Sequence, residues 1–215
     1  MFEIPENLPL QLAPLAWLVG TWQGWGTLVG EGEVPPLDGE EPRDEPVAPD
    51  APILQHIEAD VLGDQLRMKV SFYAGHVAEE VDPLWTAAEG MDHIIAGELL
   101  WEETLYWSVP SPLATLAGGE DPRELRVTAA DSRGYAVLWS GVGMGPRIRL
   151  DSDAIVLAPG VEQVDHMSRM FGLVGGELMW ASDNKVGDED FETKFTGRLQ
   201  RASRAVSVED VGEEK

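Results

Sequence analysis

Gly20-Thr-Trp22-Gln-Gly24-Trp-Gly26 follows the apolar approach Leu15-Ala-Trp-Leu-Val19 and reads as the first strand of a small β-barrel. In an extended chain successive side chains point to opposite faces, so Gly20, Trp22, Gly24 and Gly26 share one face and Thr21, Gln23 and Trp25 the other. One face therefore presents a single indole among positions that have no side chain. Glycines inside a strand mark a bend, a bulge or the close approach of another backbone, which is what closing a strongly curved sheet demands.

Upstream, residues 8–19 are too densely apolar for a loop, and Pro14 is placed to open a short helical turn. Downstream, residues 30–52 change character, with many acids and prolines around a single basic residue, Arg43. Such a stretch buries too little apolar surface to offset the entropy of ordering it, so an exposed acidic loop is expected. Strand signals then return. Residues 53–61 and 65–73 form a hairpin about Gly63-Asp64. Further runs follow at 99–109, 125–128, 134–140, 147–150, 154–158, 161–171, 177–182 and 194–201, separated by glycine and proline. Residues 82–97 read as a loop with a helical turn, and 203–215 as a polar acidic tail. About ten short strands with this punctuation predict an all-β antiparallel barrel rather than βαβ units. We place one barrel domain at 1–202, with the acidic loop inserted in it.

Composition narrows the partners. The 215 residues carry 39 acids against 15 Lys and Arg, a formal net charge of −24. A field of that sign repels phosphate backbones and anionic lipid, so neither nucleic acid nor membrane is an expected partner. Anionic small ligands are disfavoured too, unless a local cationic pocket counteracts the field. There is no cysteine, hence no disulfide, thiolate nucleophile or cysteine metal site. With no signal-peptide pattern at Met1-Phe-Glu-Ile-Pro-Glu6, a cytoplasmic protein is expected.

The opening motif, together with Arg169-Met-Phe-Gly-Leu-Val-Gly-Gly-Glu-Leu-Met-Trp-Ala-Ser-Asp183 and Gly197-Arg-Leu-Gln-Arg201, resembles the nitrobindin family. The resemblance implies a ten-stranded calycin-like pseudo-barrel related to fatty-acid-binding proteins, of the THAP type, that binds ferric haem b near its open end. It also implies peroxynitrite isomerisation or nitric oxide binding, and is compatible with a homodimer. Family members hold iron through a histidine in a His-Leu-x-Ala-x-Leu-x-Arg strand. The matching segment here is Lys194-Phe-Thr-Gly-Arg-Leu-Gln-Arg201, which puts Lys194 in the histidine position, or Thr193 or Phe195 if the register shifts by one. A second family histidine, before a Pro-Thr-Gly turn, corresponds to Asp131 before Ser132-Arg-Gly134. Neutral imidazole is available to iron at pH 7, whereas an ordinary lysine must first lose a proton at a cost of about 4 to 5 kcal/mol. The sequence thus predicts no haem cofactor.

The remaining candidates are few. His56, His76, His93 and His166 lack the spacing of a metal site. Residues 188–192, Asp-Glu-Asp-Phe-Glu, alternate carboxylates without the loop and glycine of an EF-hand. No spacing singles out a catalytic residue. Arg147 and Arg149 share a strand face and suit an anionic head group. His166 alternates with Val164 and Ser168 and suits a cavity wall. Trp22, Arg147, Arg149 and His166 are therefore the candidate ligand-cavity residues. The leading expectation is a barrel that has lost iron ligation and binds a small, largely apolar ligand. The alternatives are a haem-dependent isomerase using Lys194 or His166, and an interaction protein acting through the acidic loop.

Overall fold

The structure is a computed structural model that describes residues 8–30, 50–78, 80–110 and 122–202. Residues 31–49 of the acidic loop and the tail from 203 lie outside these. A 3₁₀ helix, Leu10–Leu18, precedes β1 (Gly20–Leu28), β2 (Ala51–Leu62), β3 (Gln65–His76), α1 (Ala87–His93), β4 (Ile95–Ser108), β5 (Arg123–Asp131), β6 (Tyr135–Met144), β7 (Arg147–Leu157), β8 (His166–Val174), β9 (Glu177–Lys185) and β10 (Glu192–Arg201). Each strand pairs antiparallel with the next, and β1 also pairs with β10, so the sheet closes into the expected ten-stranded barrel.

Closure rests on the glycine face of β1. Trp22 pairs with Arg201 of β10 and with Ile57 of β2. A Cβ at Gly24 would collide with the Arg198 carbonyl, and one at Gly26 with the Thr196 carbonyl. Absence of side chains there lets β10 bend tightly across β1. Trp22 is buried inside, as the alternation requires. Trp25 lies on the outer face and is nevertheless buried, because α1 packs over it, with Gly90 against the indole and Trp25 Nε1 donating to Thr86 O at 3.0 Å. A Thr86 and Glu89 capping box starts that helix.

The 3₁₀ helix seals one end. Leu12, Leu15 and Leu18 are fully buried beneath it. Trp22 Nε1 donates to Leu18 O at 2.9 Å, and Arg201 donates to Val19 O and Trp17 O, each at 2.7 Å. These bonds satisfy carbonyls that the helix end leaves without intrahelical partners. Since β1 runs away from this cap, odd strands end and even strands begin at the far rim.

Two expectations differ in detail. The separate runs 147–150 and 154–158 form one strand, β7, because the pairing steps from Leu138 with Ala154 to Trp139 with Ser152 and leaves Asp153 unpaired as a bulge. The strand expected from 161 starts at His166. Inside, one continuous core includes Trp107, Trp139, Trp180, Phe72, Phe171 and Phe195, with Phe171 stacked on Trp180 and Phe195 meeting Trp180 edge-on.

Candidate functional site

The far rim holds Lys194 near the start of β10 and Asp131 at the end of β5. In β10, Thr193 pairs with Asp183 and Phe195 with Ser182, which leaves Lys194 as the extra residue of a β-bulge. Phe195 faces inward in alternation with Gly197 and Leu199, and its ring meets Phe72 at 5.2 Å and Trp180 at 4.8 Å. Lys194 stays at the surface, 41% exposed, and its amine donates to Glu192 at 3.1 Å. A shallow cavity of about 510 Å³ is lined by Val29, Gly30, Glu192, Thr193 and Lys194.

Asp131 is a structural hub. Its side chain is 3% exposed. One oxygen accepts the backbone N–H groups of Arg133, Gly134 and Tyr135, each at 3.0 Å. The other takes Nε and Nη2 of Arg133 at 2.9 and 2.7 Å. This fork folds the arginine back over the barrel, so that its guanidinium lies 4.3 Å from the Trp101 ring centroid. Trp101 in turn stacks on Phe72 at 4.0 Å and 17°. Arg133, Trp101 and Phe72 form a three-layer stack at the rim, held by cation–π attraction and ring stacking.

Tyr135 completes this side, 5.3 Å from the Arg133 guanidinium, with its hydroxyl donating to Glu162 O at 3.0 Å. Burial raises its phenol above the ordinary tyrosine value, and the neighbouring Arg133 charge works against that rise.

Farther inside, Arg169 donates to Glu103 at 2.8 Å, both side chains being 4% exposed. Arg169 Nε also reaches Ser182 at 3.3 Å, and its guanidinium lies 4.8 Å from the Trp139 ring. The indole N–H groups of Trp101, Trp107 and Trp139 find no acceptor among the described residues.

The proposed cavity residues do not converge. Trp22 belongs to the core beside the 3₁₀ helix. Arg147 and Arg149 stand on the outer wall, because Ile148 and Leu150 take the inward positions opposite Phe171 and Arg169. His166 sits half-buried at the start of β8, with Nδ1 3.3 Å from the Ser152 hydroxyl, Nε2 3.7 Å from Asp151 and its ring 5.3 Å from Phe191. The other histidines lie apart: His56 beside Glu58, and His93 stacked on Trp85 at 4.7 Å. Among the described residues no three His, Asp or Glu side chains converge as metal ligands, and no helix is long and apolar enough to cross a membrane.

Arg133, Tyr135, Glu103 and Arg169 are residues to which the sequence reading gave no role in a site. Glu103 and Arg169 did carry a signal. Each breaks an otherwise apolar strand face, Trp101-Glu103-Leu105-Trp107 in β4 and Met167-Arg169-Phe171 in β8, with opposite charge. Arg133 carried none, since a turn arginine is ordinarily solvated.

A family model described as a THAP4-like, heme-binding beta-barrel domain matches residues 11–201. The chain is 31% identical to a ferric nitrobindin-like protein of Kineococcus radiotolerans, over 92% of this chain and 96% of that one. It is 28% identical to a ferric nitrobindin-like protein of Beutenbergia cavernae, over 93% and 98% respectively. It is also 27% identical to a peroxynitrite isomerase of Renibacterium salmoninarum, over 96% of each chain. Among solved structures, Rv2717c from M. tuberculosis superposes with a TM-score of 0.61 at 20% identity, covering 92% of this chain and 100% of that one, a likeness of fold.

Proposed function

The chain belongs to the THAP4-like, heme-binding β-barrel family, and from that premise we propose that it is a member without haem-iron ligation that works as a binding protein rather than as an isomerase. The observation that carries this reading is the state of the rim. Lys194, which the resemblance sets against the family histidine, is a bulged surface residue tied to Glu192. Asp131, at the second histidine position, is consumed by five hydrogen bonds within its own turn. Arg133 covers Trp101 at the rim, and aromatic rings fill the space beneath. A lysine ammonium and a hydrogen-bonded aspartate do not fit the iron of a porphyrin, which is held by a neutral imidazole, a thiolate, a thioether or a phenolate. His166, the other ligand considered, has both ring nitrogens beside Ser152 and Asp151.

The second reading, peroxynitrite isomerisation, is favoured by the name of relatives such as that of Renibacterium salmoninarum. Titration with ferric haem separates the two. A haem-free barrel leaves the Soret band without a saturable shift at micromolar concentrations, whereas a saturable shift abolished by Lys194→Ala or His166→Ala would restore the isomerase reading. The cargo of the haem-free protein is a small, largely apolar molecule. Its seat is sought on the wall, where apolar side chains are exposed.

A further inference from the structure

We infer that the outer wall of β6 to β10 holds a binding site for a small anion with an apolar body, its charged end at Arg147 and Arg149. The inference rests on the reading of the chain as a binding protein and adds where the ligand sits and what its chemistry is.

Two rows of outward side chains cross this wall. In one, Val142 pairs with Arg149, Arg149 with Met170, Met170 with Ala181, and Ala181 with Thr196. In the other, Met144 pairs with Arg147, Arg147 with Gly172, Gly172 with Met179, and Met179 with Arg198, which faces Trp25 of β1. Val142, Met144, Met170 and Met179 are exposed, although apolar side chains of this size on adjacent strands are costly to leave in water. Gly172 and Ala181 lie between the methionines, so the centre of the wall is low. Val77, Val81 and Pro83, from the segment leading to α1, face it from the other side. The result is a trough of about 1340 Å³, more than the few hundred Å³ that small-molecule sites require. Methionine suits such a wall, because its unbranched, polarisable chain adapts to the shape laid on it.

Charge orients the occupant. Arg147 makes no ion pair or side-chain hydrogen bond with any described residue, and among the described residues the one such partner of Arg149, beside it, is Asp151, at 3.3 Å. Arg198 is committed to Glu177 at 2.6 Å and to Trp85 O at 2.8 Å, so it pins the segment before α1 and offers no free charge. Asp50 and Glu80 line the opposite end of the trough. The positive end is thus β7 and the negative end β2, and an anionic head belongs at β7 with its apolar body over Met170, Ala181 and Met179. From β7 to β1 are four interstrand spacings, roughly 19 Å, and an extended alkyl chain of about a dozen carbons covers most of that distance. Elsewhere the chain, at −24, repels anions, which makes binding at this one cationic edge distinguishable from adventitious adsorption.

The test is calorimetric titration of the full chain with dodecanoate below its micellar concentration, with dodecyltrimethylammonium as the charge-reversed control. Saturable 1:1 binding of dodecanoate is expected, with the cation at least about tenfold weaker and Arg147→Gln/Arg149→Gln weakening dodecanoate by about tenfold or more, the scale of a lost charge-assisted hydrogen bond. Ala181→Trp, which fills the floor from the solvent side, should abolish binding. Equal binding of both amphiphiles, or dodecanoate binding indifferent to all three substitutions, overturns the trough while leaving the reading of a haem-free binding protein intact. Absence of dodecanoate binding overturns it too, as does sedimentation showing a dimer that Met170→Glu dissociates, which would assign the wall to a second copy.

Discussion

The guanidinium of Arg133 lies 4.3 Å from the ring centroid of Trp101, and the fork that Asp131 makes to the same arginine, at 2.9 and 2.7 Å, holds it there. A turn residue thereby covers the rim of the barrel. Asp131 at the end of β5 and Lys194 near the start of β10 lie at the same end of the molecule. They are coupled through space, since the charges of Arg133 and Lys194 both act on the Tyr135 phenol.

Arg133→Ala should uncover Trp101. We expect a loss of about 1 to 2 kcal/mol in urea denaturation, the scale of one partly desolvated cation–π contact. Asp131 keeps three backbone donors in the variant, so no charge is left stranded. Acrylamide quenching of tryptophan fluorescence should rise in step, and unchanged quenching would show that Arg133 does not shield the indole.

Lys194→His alone should leave ferric haem unbound, because the side chain stays on a surface bulge and Arg133 still covers Trp101. Combined with Arg133→Gly it should yield a saturable Soret shift. A shift in the single variant would mean that the arginine is no obstacle.

Breaking the buried pair from one side should be severe. Glu103→Gln or Arg169→Met leaves an uncompensated partner among side chains that are 4% exposed, at a cost of about 3 to 5 kcal/mol. The double variant Glu103→Leu/Arg169→Met should recover most of that loss. A double variant as unstable as either single one would mean that the pair contributes more than mutual neutralisation.

Alkaline titration should single out Tyr135. Its folded pKa is raised, chiefly by burial, so its contribution to stability is complete below the unfolded tyrosine value near 10 and is lost as pH rises through the folded value. Tyrosinate absorbance should show a late step that Tyr135→Phe removes. Arg133→Gln should move that step higher still, since the arginine charge favours the phenolate.

Gly24→Ala tests barrel closure. The added methyl meets the Arg198 carbonyl of β10, and neither backbone can retreat without opening the β1–β10 seam. A loss of about 3 kcal/mol is expected by thermal or urea denaturation, the upper range for overpacking. Stability within 0.5 kcal/mol of the parent, roughly the scale of a neutral surface change, would mean that the seam is loose.

Local pattern alone decided a good deal about this protein. Alternation placed Gly20, Trp22, Gly24 and Gly26 on one face, and strand length and punctuation led to an antiparallel barrel, because both are properties of a few neighbouring residues. Even the acid and base inside the barrel were legible as polar breaks at Glu103 and Arg169, although not as a pair. Tertiary structure alone decided which way Arg147 and Arg149 face, since a strand's period says that they agree but not whether they point in or out. It also decided that Trp25 is buried from outside by α1 and that β7 passes Asp153 as a bulge. Above all, it brought Asp131, Arg133, Trp101 and Phe72 from three strands and a turn to one rim. Such meetings depend on register around a closed sheet, and register is set by contacts between residues up to a hundred or more positions apart, as when Trp180 bonds Gln55.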